Sequence, residues 1–142
     1  MGGSLRIAVS KNPTRSWSPS DGDRHLDFDL HPAEWEKLFV DYFGVPEWEM
    51  HSDKEESSLY FARQKERIEK HIAERGYPLL GRLWHIYDDA GYEPNEIQSF
   101  HRECDDLRLK VDDPLARSMV DKLLAACYQA EQSSSGLWFL SD

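Results

Sequence analysis

The sequence predicts an α+β fold, predominantly helical, with about five helices packed on a small sheet formed by strands from both chain ends. Three observations predict it. Apolar residues recur at helical spacing over most of the chain between residues 32 and 132. Residues 25–30 alternate strictly between polar and apolar. Both ends carry short apolar runs, at 5–9 and 137–140, and pairing these runs would bury them together.

Met1-Gly2-Gly3-Ser4 reads as an expression-tag remnant, which leaves 5–142 as a single globular domain. Leu-Arg-Ile-Ala-Val at 5–9 reads as the first strand. Asn12-Pro13, Ser18-Pro19 and Asp21-Gly22 then mark a polar loop. In 25–30, Leu26, Phe28 and Leu30 share one face and His25, Asp27 and Asp29 the other, the pattern of a half-buried strand. The first helix opens at Pro32, carries Trp35, Leu38, Phe39 and Tyr42 inward, and stops at Gly44. Ser52-x-x-Glu55 and Asp53-x-x-Glu56 both fit a capping box for the second, whose narrow stripe is Phe61, Ile68 and Ile72 and whose end is Gly76. A third is expected over 78–90, with Leu80, Leu83, Trp84 and Tyr87 inward and Gly91 as its stop. The fourth begins near Pro94 with Ile97, Phe100, Cys104, Leu107 and Val111. The fifth follows Asp113-Pro114, with Leu115, Met119, Leu123, Cys127 and Ala130 on one face, widened by Val120 and Leu124. The run at 137–140 closes the chain as a strand.

At 142 residues with 39% hydrophobic and 12% aromatic side chains, the chain can bury a real core and is too apolar for a disordered acidic tail. Its 17 Lys+Arg against 27 Asp+Glu give a net charge of −10, which argues against nucleic acid as a partner, because phosphate binding needs concentrated Lys and Arg. No apolar run reaches the ~20 residues that span a bilayer, and no signal-peptide pattern opens the chain, so the expectation is a cytoplasmic protein without a membrane partner. Two cysteines cannot build a disulfide framework.

Nucleophile elbows, phosphate-cradling loops and dinucleotide fingerprints are missing from the sequence, so it reads as non-catalytic and no cofactor is expected. The sharpest local pattern is His25-x-Asp27-x-Asp29-x-His31, whose residues would project from one strand face about 6–7 Å apart. Such a row could hold zinc or manganese and support a metal-dependent hydrolase. The simpler reading is that an amphipathic strand needs polar residues on its wet face, with His31 before Pro32 already part of the helix start. His85 with Asp89 and His101 with Asp105 are i,i+4 pairs only. Cys104 and Cys127 fall on apolar helix stripes and read as core residues.

Charge is concentrated. Residues 27–56 contain ten acids and two bases, and residues 88–113 nine acids and three bases. Within the first run, Val45-Pro46-Glu47-Trp48-Glu49-Met50 sets a tryptophan among carboxylates. That composition suits an anchor for a basic protein, the ring supplying buried area and the acids steering; Trp48 could instead cap the core. The candidate partner-binding residues are Glu34, Asp41, Glu47, Trp48, Glu49, Asp53, Glu55 and Glu56.

The size, the acidic helical body and the ending, a helix over 115–132 followed by Ser135-Gly136-Leu137-Trp138-Phe139-Leu140-Ser141-Asp142, resemble the small acidic immunity proteins of bacterial polymorphic-toxin and contact-dependent inhibition systems. The resemblance implies tight, non-catalytic neutralisation of a cognate basic toxin, possible nucleases included, and transfers no residue role. Besides the hydrolase, the remaining alternative is a structural or adaptor subunit that binds through the second helix, with Tyr60-Phe61 facing its partner.

Overall fold

The computed structural model describes residues 5–10, 24–45, 58–85 and 90–141. The chain runs β1 (Leu5–Ser10), β2 (Arg24–Leu30), α1 (32–42), α2 (Ser58–Glu74), β3 (Ala90–Tyr92), α3 (Ile97–Arg108), α4 (Pro114–Gln132) and β4 (Gly136–Ser141). All strand pairs are antiparallel, in the order β2-β1-β4-β3. The two chain ends do meet: β1 and β4 lie side by side at the sheet centre, from Leu5 opposite Ser141 to Ser10 opposite Gly136. Alternation divides their side chains. Leu5, Ile7, Val9, Leu137 and Phe139 enter the main core under the helices, while Ala8, Trp138 and Leu140 form a second buried cluster.

Among the described residues there are four helices, not five. Where a helix was expected over 78–90, the described residues form one 3-10 turn, Leu80–Leu83. Tertiary bonds take the groups a helix would have used. Glu103 on α3 accepts from the backbone N–H of Leu79 (3.0 Å) and Leu80 (2.9 Å), and the Tyr92 hydroxyl donates to the Leu79 carbonyl at 2.6 Å. Ala90, Gly91 and Tyr92 then pair with Phe139, Trp138 and Leu137 as β3, a strand the apolar pattern did not suggest. The Tyr92 ring stacks on Phe100 with centroids 4.1 Å apart. Tyr87 and residues 52–57, where the second helix was expected to begin, lie outside the described residues.

α1 begins as predicted at Pro32 but widens into a π-helical stretch from Glu36 to Tyr42. The widened turns end with Phe43 N–H on the Leu38 carbonyl (3.1 Å) and Val45 N–H on that of Phe39 (2.9 Å). They carry Trp35, Leu38, Phe39, Phe43 and Val45 into the core together, with Trp35–Phe39 and Phe39–Phe43 centroids 5.2 and 5.7 Å apart. Gly44, at φ +76, supplies the left-handed residue that stops the helix. The Trp35 indole N–H donates to the Leu83 carbonyl at 2.8 Å and so ties α1 to the 3-10 turn.

α3 follows a 3-10 turn at Pro94–Glu96 and buries Ile97, Phe100, Cys104 and Leu107 as the spacing predicts. α4 is capped by Asp113, whose Oδ1 accepts from Leu115 N (2.9 Å) and Ala116 N (3.1 Å). It buries Met119, Val120, Leu123, Cys127 and Ala130 and packs on α3, α1 and the sheet. Leu115 is a correction: at 42% exposed it faces outward in the first turn.

Candidate functional site

Of the eight expected contact residues, the structure describes two. Glu47, Trp48, Glu49, Asp53, Glu55 and Glu56 lie outside the described residues, and so does any decision between core and surface for Trp48.

Glu34 is a correction. It was expected on the surface, in the first turn of α1 after Pro32, yet it is only 4% exposed. Its Oε1 accepts from Lys122 Nζ of α4 at 2.6 Å and from the His31 backbone N–H at 3.0 Å, and its Oε2 accepts from the Ser118 hydroxyl. Burial raises its pKa, but the hydrogen bonds from Lys122, Ser118 and His31 outweigh that and hold the carboxyl below its ordinary value. Lys122 also donates to the Asp29 carbonyl at 2.9 Å. One cation thus ties β2 and α1 to α4, and the Glu34 charge is spent inside the fold. Asp41 is placed differently. It stands on the outer side of α1, its side chain 55% exposed and paired at 3.2 Å with Lys37, one turn earlier.

Four of the nine acids in the second run, 88–113, are engaged in the architecture. Glu96 makes a two-pronged contact with Arg82 at 3.0 and 2.6 Å, and that bond draws its pKa down. Asp106 accepts from the Tyr77 hydroxyl at 2.5 Å and pairs with Lys110 at 3.0 Å, which also lowers its pKa. Glu103 is partly buried, and burial pushes its carboxyl up against the opposing pull of the Leu80 and Leu79 amides. Asp113 caps α4. Glu93, Asp105, Asp106 and Asp112 of this run are exposed, and the first run, 27–56, has the larger net charge in the sequence, −8.

β2 carries the histidine and aspartate row. His25 and Asp27 are exposed and Asp29 is half-buried, with Asp29 opposite Arg6 and His25 opposite Ala8 on β1. The register slips between these two pairs. His31 lies past the strand end, at the N-cap of α1. Among the described residues no group of three or more His, Cys, Asp or Glu side chains is arranged to hold a metal ion. Cys104 and Cys127 are both buried, and the contact between the two thiols together with burial pushes the Cys104 thiol far up, the opposite of a nucleophile. The side chains of Tyr60 and Phe61 lie outside the described residues.

Sequence reasoning missed a shallow groove of about 510 Å³ between β2 and α4, lined by Phe28, Arg117, Ser118, Asp121, Lys122 and Ala125. Ser118 and Lys122, one turn apart on α4, carry the only advance signal. No helix among the described residues is long and apolar enough to cross a membrane. Comparison of the chain with protein-family models, with curated proteins and with solved structures returns no match.

Proposed function

We propose that the protein is a non-catalytic acidic inhibitor, an immunity-type protein that neutralises a basic toxin domain in the bacterial cytoplasm. A toxin that handles nucleic acid is the partner chemistry that fits best, because its positive cleft accepts an array of carboxylates in place of phosphates. The observation that carries the reading is the concentration of acid at 27–56, net −8 within a chain of −10. Exposed Asp41 stands at the end of α1, from which the chain enters the Glu47-to-Glu56 segment.

The contact set becomes Asp41, Glu47, Trp48, Glu49, Asp53, Glu55 and Glu56. Glu34 leaves it and acts as a support that holds α1 against α4. In this reading Trp48 is the anchor and the acids set the encounter rate. The test is calorimetric titration of the purified protein with a candidate basic toxin domain. Binding that weakens as salt rises is expected, and no heat at micromolar concentration removes the proposal.

A further inference from the structure

We infer that the groove between β2 and α4 is a binding site for a small monocarboxylate with an aromatic ring, whose carboxylate is held by Arg117 and whose ring lies on Phe28, Pro114 and Ala125. The inference is independent of the inhibitor reading, which places its contacts in the first acidic run. The groove holds about 510 Å³, inside the ~300–1,000 Å³ of small-ligand sites.

The charges along it are unequally matched. Half-buried Ser118 and Lys122 are turned to Glu34, the lysine Nζ reaching Oε1 at 2.6 Å and the serine hydroxyl donating to Oε2. Lys122 spends a second N–H on the Asp29 carbonyl. Asp121 is met by Arg108 of α3 at 2.5 Å. Each of these ions already has its counter-ion, and Arg117 does not. Its Nε donates to the Val111 carbonyl at 3.0 Å, and among the described residues no carboxylate lies within ion-pair distance of it. That single bond restrains the guanidinium plane and leaves both terminal nitrogens as donors, a fork that matches a carboxylate.

Size and charge choose the occupant. With one unmatched cation, a dianion such as a phosphate ester would set its second charge against Asp121 and Glu34, so the complement is a monoanion. Phe28 is half-buried, and exposed Pro114 and Ala125 stand with it, so the wall that meets the rest of the ligand is apolar and part aromatic. A protein partner would engage about 20–30 residues a side, and the groove offers seven. Because the groove is shallow, one charged contact and one ring carry the affinity, and a Kd of about 1 mM is expected for 3-phenylpropionate.

The test is an NMR titration of the full chain with sodium 3-phenylpropionate at constant ionic strength, followed through backbone amide shifts. Saturable shifts are expected at Phe28, Arg117, Asp121 and Ala125. 3-Phenylpropanamide, the same body without the charge, should bind about 10-fold more weakly, and so should acetate, the charge without the body. Arg117→Gln should weaken 3-phenylpropionate about 10-fold, whereas Arg102→Gln, at an exposed position on α3, should leave its affinity unchanged. Shifts that stay linear to about 20 mM would overturn the inference, since that is far above the expected Kd. So would an amide or acetate that binds as well as the acid, an Arg117→Gln protein with wild-type affinity, or equal losses in the two arginine variants. The ligand comparison uses the wild-type chain and decides the matter even if Arg117→Gln does not fold.

Discussion

At the scale of single residues, the Glu34–Lys122 pair shows how a charge can change its role on burial. Glu34 is enclosed, and removing its charge leaves Lys122, with its side chain 29% exposed, short of its principal acceptor. Breaking one side of such a pair is destabilising because the partner stays behind unpaired. Glu34→Gln should lower unfolding stability by about 2 kcal/mol at neutral pH, read from urea titration. The pH dependence has a definite sign. The folded pKa of Glu34 lies below its ordinary 4.5, so the native state holds the ionised form more strongly than the unfolded chain does. Its contribution is fully present above about 4.5 and is lost as the pH falls through the lowered folded value. The gap between wild type and Glu34→Gln should therefore narrow on acidification, and a gap constant down to pH ~3 would refute this account. The sequence could place Glu34 in a first helical turn, where acids suit the helix dipole. It could not show the burial, because Lys122 lies 88 residues further on.

At the scale of elements, periodicity located α3 and α4 well because their stripes are long and regular, and alternation located β2. The failure at 78–90 has a local cause that was visible and a distant one that was not. Gly81, a weak helix former, sits one turn into that segment. The decisive competitors, Glu103 and the Tyr92 hydroxyl, arrive from α3 and β3. Two glycines then separate backbone need from packing need. Gly76 has φ +105 just past α2, so Gly76→Ala should cost about 1 kcal/mol even though the space is open. Gly81 has ordinary backbone angles, and a Cβ there would meet Ile72 at 3.6 Å, an ordinary contact. Gly81→Ala should be neutral or stabilise by about 0.5 kcal/mol, chiefly by restricting the unfolded chain. Thermal melts of both variants check the contrast. Equal destabilisation of the two would mean that the 3-10 turn tolerates no added atom.

At the scale of the whole molecule, closure of the chain ends and surplus negative charge act on different observables. β4 pairs with both β1 and β3 and supplies Leu137 and Phe139 to the core. Truncation after Ser135 should therefore abolish cooperative unfolding rather than shift its midpoint. Charge acts at longer range. At −10 the folded chain repels itself, so moderate salt should raise its own melting temperature while slowing capture of a basic partner. The acids of the first run divide by the same physics. Glu34 is neutralised internally and cannot steer, whereas Asp41 is exposed beside Lys37. Reversing Glu47 and Glu49 to lysine should cut the association rate with a basic toxin, and the loss should be greatest at low salt. Trp48→Ala should instead speed dissociation and leave the association rate nearly unchanged, because an anchor acts after encounter. Stopped-flow measurements at two salt concentrations separate these effects. If Trp48→Ala stays folded and dissociates at the wild-type rate, the ring is no anchor, and the acids must hold the partner without it.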